Sequence, residues 1–175
     1  MSGQTNYAWR AAAVALAMLA SVARPGPAAA EIAAVGKPPP AFALPDETGE
    51  VYRLPELLGK PLILYFTHNM CHYCTQIIGF LKRAHEAHAG DGLTIITINV
   101  LADSDKLIRR YKDQFSLPFP MLAGKNVQLL RDYEVNYVPI VVFVGKDGLV
   151  RHIEHHYVLP EDFDREVQEI MGGSS

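Results

Sequence analysis

Cys71 and Cys74 are the only cysteines in this 175-residue chain, and they enclose His72-Tyr73 where one hydrophobic pattern gives way to another. Before them, behind the turn Gly59-Lys60-Pro61, residues 62–67 (LILYFT) form the short continuous apolar run of a buried strand. After them, Cys74, Ile77, Ile78, Leu81 and Ala84 recur at helical spacing to about His88, ahead of Gly90-Asp91-Gly92. A C-x-x-C pair at a strand-to-helix junction brings two sulfurs together across the first turn of a helix. The positive end of that helix favours the thiolate of the first cysteine. A thiolate that attacks and a neighbour that resolves are what disulfide exchange needs.

Two other uses of a cysteine pair fit less well. A disulfide across so short a loop removes little chain entropy, and a domain of this size builds a core without such a staple. A structural zinc site needs two further ligands at suitable spacing, and there is no second cysteine pair. The expectation is therefore a redox-active disulfide, with no metal and no other cofactor.

Residues 1–30 have a separate character. Arg10 precedes a 13-residue apolar run, Ala11 to Ala23, short of the ~20 residues that span a bilayer. Pro25 and Pro27 end it, and Ala28-Ala29-Ala30 offers a cleavage site, so this segment reads as a secretory signal peptide in preference to the alternative of an uncleaved membrane anchor. Export places the cysteines where disulfides form and persist. The leader carries Arg10 and Arg24 and no acid, so cleavage leaves 14 Lys and Arg against 19 Asp and Glu, a net charge of -5. An acidic domain without a basic patch argues against nucleic acid as a partner.

Residues 31–40 (EIAAVGKPPP) read as a Pro-rich lead-in, an extended arm or tether, and residues 41–171 as the folded domain. Residues 41–44, the turn cluster 45–50 and residues 51–54 predict a β-hairpin. Leu93 to Val100 predicts a strand. Asp103 or Ser104 caps a following helix whose stripe is Leu107, Tyr111 and Phe115, and Pro118-Phe119-Pro120 stops it. A short helix carries Val127, Leu130 and Tyr133. Residues 140–144 and 149–155 pair across the turn Lys146-Asp147-Gly148, and Pro160 opens a last helix faced by Phe163, Val167 and Ile170. Residues 172–175 are a flexible tail. The order predicts an α/β fold: a mixed central sheet flanked by helices, with an N-terminal hairpin and a central αβ insertion.

Four segments in this order resemble the exported branch of the thioredoxin-like superfamily, the TlpA/ResA-type thiol-disulfide oxidoreductases and the cytochrome c maturation thioredoxins. They are Val35-Gly36-Lys37-Pro38 to Phe42; Leu57-Leu58-Gly59-Lys60-Pro61 with its strand; Cys71 to Cys74; and Tyr133 to Pro139 with the strand that follows. The resemblance spans nearly all of residues 35–171. It implies a thioredoxin-like fold, Cys71 as nucleophile, Cys74 as resolving thiol, and Pro139 in the cis form beside the disulfide. A cis-proline there leaves the backbone of Val138 free to pair with an extended partner chain, with Tyr73 and Met70 also at the substrate face. It further implies a periplasmic monomer that exchanges disulfides or dithiols with protein partners, as a reductant resupplied by a membrane thiol-disulfide donor.

The departures from the family pattern are specific. Met70 replaces the usual Trp before the first cysteine, and His72-Tyr73 replaces a pair that often contains Pro. Tyr65 stands where thioredoxins carry a buried Asp, and Ile77 where the ResA type carries a Glu, so neither familiar proton acceptor for Cys74 is present. As an imidazolium, His72 favours a thiolate, stabilises the reduced form and makes the disulfide more oxidising, which leaves an oxidant role open. His68 and Met70 could join the thiolates as soft Cu(I) ligands, a copper-delivery alternative, although the thioredoxin-fold copper proteins space their cysteines one residue wider. A peroxiredoxin-type peroxidase needs Thr three residues before its cysteine; Thr67 is four before Cys71. His152, His155 and His156 cluster near a strand, with His152 and His156 on one face, and read as a solvated edge in preference to a metal site; His85 and His88 read as the rim of the core, and the charges from Asp103 to Asp113 as a solvated helix face.

Overall fold

A computed structural model describes residues 32–172. Their elements run β1 (Ala43–Pro45), β2 (Val51–Arg53), α1 (Leu54–Leu57), β3 (Leu62–Thr67), α2 (Cys74–His88), β4 (Thr94–Asn99) and α3 (Asp105–Phe115). They continue with β5 (Met121–Ala123), α4 (Val127–Asp132), β6 (Ile140–Val144), β7 (Val150–His155) and α5 (Pro160–Met171). Five strands form one mixed sheet in the order β5-β4-β3-β6-β7. β3, β4 and β5 are parallel, whereas β6 and β7 run antiparallel to their neighbours.

β3 lies at the middle of the sheet, and all six of its residues are buried. Alternation along it divides the core in two. Ile63 and Tyr65 face α2, α3 and α5, where they meet Cys74, Ile77, Leu81, Tyr111 and Phe163. Leu62, Leu64 and Phe66 face the hairpin, α1 and α4, among Phe42, Leu44, Leu54, Leu129 and Tyr133. A strand that must be apolar on both faces explains the unbroken run in the sequence.

Several expectations change in detail. Leu54 opens the helical turn α1 rather than ending a strand, because Pro55 fits its first turn and Leu54 drops into the core. The strand β5 was not anticipated: three residues between Pro120 and Gly124 carry no readable period, and pairing with Thr97–Asn99 makes them a strand. On α3 the inward side is Ile108 and Tyr111; Leu107 is 39% exposed, because the i, i+3 row of Ile108 faces the sheet. On α4 Leu129 is buried and Val127 is 74% exposed. Ser104 holds the N-cap position of α3 without a side-chain cap.

The lead-in from residue 32 is an extended arm docked on the body rather than a free tether. Ala33 N–H donates to Asp132 O at 2.8 Å, Gly36 N–H to Val150 O at 2.8 Å, and Val150 N–H to Lys37 O at 2.9 Å. The buried Tyr133 hydroxyl donates to Pro40 O at 2.7 Å. Gly172 closes α5 at φ 99°, a left-handed conformation suited to glycine. The signal-peptide reading of residues 1–30 and the rest of the tail, 173–175, lie outside the described residues. No helix among the described residues is long and apolar enough to cross a membrane.

Two buried carboxyls stand out. Glu166 on α5 is 3% exposed, and burial, followed by the facing Glu154 carboxyl, pushes it up to about 8. Asp46 shapes the β1–β2 turn: its Oδ1 accepts from Thr48 N–H and Thr48 Oγ1 at 2.7 Å each and from Glu50 N–H at 3.0 Å. Burial alone would raise the Asp46 carboxyl; the bonds from Thr48 and Glu50 outweigh it and hold the group below its ordinary value. A folded-state pKa below the unfolded one adds stability above the unfolded value, and that stability is lost as pH falls through the folded value. Asp46→Ala should therefore cost roughly 1–3 kcal/mol at neutral pH by urea unfolding. The cost should shrink at about pH 3; an equal cost at both pH values would show that the charge contributes nothing.

Candidate functional site

The disulfide forms at the end of the central strand. β3 stops at Thr67, the loop 68–70 turns, and Cys71 N–H donates to His68 O at 3.2 Å. Cys71 and Cys74 are bonded, with S–S 2.01 Å and Cα–Cα 5.3 Å. Their environments differ: Cys71 is half-buried at the surface, and Cys74 is fully buried in the core at the start of α2. The first turn of a helix has backbone N–H groups without helical acceptors. One of them, on Cys74, points at Cys71 Sγ at 3.2 Å. That donor and the helix dipole act on whatever negative charge develops on the Cys71 sulfur.

Beside the pair, the Val138–Pro139 peptide bond is cis, and Val138 O lies 3.8 Å from Cys71 Sγ. β6 begins only at Ile140, so Val138 stands outside the sheet pairing, and neither of its backbone groups has a backbone partner among the described residues. Pro139 is buried, and its carbonyl accepts from His156 N–H at 3.1 Å. Of the other residues predicted at the site, His72 is exposed, Tyr73 is 65% exposed and Met70 is 80% exposed. The His72 and Tyr73 rings meet edge-on at 5.9 Å, and Met70 N–H donates to His68 Nδ1 at 3.1 Å.

Two shallow hollows open on either side of Val138. One, of about 260 Å³, is lined by Tyr73, Pro139, His156 and Tyr157; the other, of about 250 Å³, by His68, Leu101, Leu130, Asn136 and Tyr137. Both fall below the ~300–1,000 Å³ of small-molecule sites and suit single side chains of a longer ligand. His156 stacks on Tyr137 at 4.2 Å and 5°, with its own backbone at φ 72°. Tyr137, His156 and Tyr157 were missed at the sequence level. Their approach depends on the β6–β7 register, and only the resemblance to a cis-proline loop could have drawn attention to the segment.

Beneath the pair, the Tyr65 hydroxyl donates to Cys74 O at 3.0 Å, and Thr67 and Tyr111 share a hydroxyl–hydroxyl bond of 2.9 Å. Burial pushes both phenols up, Tyr65 strongly, so Tyr65 is a neutral donor at physiological pH. It bonds the backbone of Cys74, not its sulfur, and Ile77 is apolar core. No carboxylate among the described residues is hydrogen-bonded to either cysteine. The loop before Cys71 is fixed from another direction: Asn99 Nδ2, at the end of β4, donates to Asn69 Oδ1 at 2.7 Å.

Comparison with known proteins agrees with this geometry. Residues 35–153 match the AhpC/TSA family. The chain is 27% identical over 137 residues to the thiol-disulfide oxidoreductase ResA of Geobacillus kaustophilus, covering 78% of each chain. It is 28% identical over 120 residues to the thioredoxin-like protein YneN of Bacillus subtilis, covering 67% of this chain and 69% of that one. Among solved structures, a thioredoxin-family thiol:disulfide interchange protein of Chlorobium tepidum superposes with a TM-score of 0.68 at 21% identity, over 78% of this chain and 97% of that one. A secreted disulfide oxidoreductase of Mycobacterium tuberculosis superposes with a TM-score of 0.63 at 21% identity, over 73% and 95%. The chain belongs to the AhpC/TSA family, with a thioredoxin-like fold and the disulfide site of a thiol-disulfide oxidoreductase.

Proposed function

We propose that this protein is an exported thiol-disulfide oxidoreductase that reduces disulfides in periplasmic proteins. The observation that carries the reading is the position of Cys71 Sγ. It sits under the Cys74 N–H at the start of α2 and beside the unpaired backbone of Val138.

In the reduced protein, Cys71 is the thiolate, held by the helix N-terminus. It attacks one sulfur of a partner disulfide. A bond forms between Cys71 and the partner, and the partner's other sulfur leaves as a thiolate that takes up a proton. Cys74 then loses its proton and attacks Cys71 Sγ, releasing the second partner thiolate and leaving the Cys71–Cys74 disulfide. Two electrons pass to the partner, and a membrane dithiol donor returns them. The exchange needs no cofactor beyond the disulfide, and a monomer contains the whole site.

The partner binds as extended chain. Val138 N–H and C=O offer strand-like pairing, and the hollows on either side take alternate side chains. Tyr73 and Met70, exposed beside Cys71, supply apolar contact to the segment carrying the partner disulfide. Proton removal from Cys74 falls to the leaving partner thiolate or to water, since Tyr65 is a neutral donor and Ile77 cannot titrate.

Cys74→Ser should accumulate mixed disulfides through Cys71 when expressed in the periplasm, and Cys71→Ser should accumulate none. Recovery of no partner from Cys74→Ser, judged by non-reducing gels and mass spectrometry, would count against exchange chemistry. His72→Ala should make the reduction potential roughly 5–20 mV more negative, the size expected of one exposed charge near a thiolate. An unchanged potential in glutathione redox titration would remove His72 from the account.

A further inference from the structure

A second cluster of chemistry-bearing side chains lies away from the disulfide, between β7 and α5. In the β6–β7 register His152 stands opposite Phe143 and Glu154 opposite Val141. Phe143 and Val141 face α5, so His152 and Glu154 point the same way. Glu166 comes down from the buried side of α5, among Phe163, Val167 and Ile170. One ligand atom from each of His152, Glu154 and Glu166 lies within 4.8 Å of the others.

Glu166 is the unusual member. It is 3% exposed, and its Oε2 has no hydrogen-bond partner. Burying a carboxylate without a partner is costly, and native structures compensate with a cation, a proton or a hydrogen bond. No Lys or Arg among the described residues pairs with Glu154 or Glu166. Arg165 is taken by Asp162 and Arg151 by Asp147, each at 2.7 Å. Ligands at ~2.0–2.2 Å in a tetrahedral shell stand about 3.3–3.6 Å apart, so binding would draw these donors together from within 4.8 Å by side-chain rotation. Glu169 Oε2 lies 2.7 Å from His152 Nε2. A carboxylate holding one nitrogen of a histidine orients the ring and leaves the other nitrogen for a metal.

We propose that His152, Glu154 and Glu166 bind one divalent transition-metal ion, with Glu169 as the positioning partner of His152. An imidazole with carboxylates suits zinc and its first-row neighbours better than calcium or magnesium, which prefer all-oxygen shells. Two carboxylates also match the charge of a divalent ion. His152 and Glu154 are half-exposed at the edge strand, which gives the ion a way in. The bound ion would fasten α5 to β7 and protect the sheet edge, a structural role separate from disulfide exchange.

The rival way to satisfy the pair is one proton shared by Glu154 and Glu166, and zinc titration separates the two. Chelator-stripped protein with the disulfide intact, so that no thiolate competes, is titrated with Zn²⁺ by calorimetry and with Co²⁺ by visible absorption. The expected result is one equivalent bound, with a melting temperature that rises with Zn²⁺. Glu166→Gln, which keeps the side-chain size, and His152→Ala should each weaken binding at least tenfold and abolish that rise. Glu169→Gln should weaken it by roughly tenfold. His155→Ala with His156→Ala should leave it unchanged. If Glu166→Gln does not fold, the half-exposed His152→Ala decides. No saturable binding at one equivalent, binding indifferent to His152 and Glu166, or binding that follows His155 and His156 would each overturn the site.

Discussion

Burial of β3 on both faces is the constraint from which the rest of the structure follows. Six consecutive residues, Leu62 to Thr67, are removed from water. Each large apolar side chain among them contributes roughly 1.5–3 kcal/mol relative to exposure. To cover both faces the chain must supply two layers. α2, α3 and α5 form one; the hairpin, α1, α4 and the docked lead-in form the other. The strand also needs partners on both sides, which β4 provides in parallel and β6 in antiparallel. Sliding β3 by one residue would turn Tyr65 away from Cys74 and put Leu64 in its place.

That burial fixes the chemistry because the strand ends where the reactive helix starts. The β3–α2 turn presents Cys71 at the surface, while Cys74 is locked into the layer shared with Ile77 and Leu81. One sulfur is thus accessible and the other protected, an asymmetry that comes from packing and not from the motif alone. β6 adds the neighbour: pairing with β3 from Phe66↔Ile140 back to Leu62↔Val144 delivers Val138 and Pro139 to the end of the strand, beside Cys71. The Tyr65 hydroxyl on Cys74 O and the Asn99–Asn69 bond hold the two sides of the turn. Position is therefore secured on both sides by neutral hydrogen bonds.

Residues whose pattern is local and strong were legible in the sequence. β3, α2 and β6 follow from unbroken apolar runs and helical stripes, and the cysteine pair follows from their junction. On α3 Tyr111 and Phe115 pack inward as their spacing implies, but Ile108 takes the place of Leu107; both fit a helical stripe, and only the angle of packing onto the sheet chooses between them. β5 is three residues long and exists through its pairing with β4, so no local signal marks it. The aromatic surround of Val138 and the meeting of Glu166 with His152 and Glu154 join residues distant in sequence. They become visible only once register and helix packing are known.

The proposed exchange requires Cys71 alone to be poised as the nucleophile, because the start of α2 acts on its sulfur and the core shields Cys74. The most direct measurement follows thiolate ultraviolet absorbance against pH in the reduced protein, with Cys74→Ser and Cys71→Ser assigning each sulfur. Cys71 is expected to ionise well below the ~8.5 of a free cysteine, and Cys74 above it. Ionisation of Cys71 at or above that value, or of Cys74 first, would contradict it.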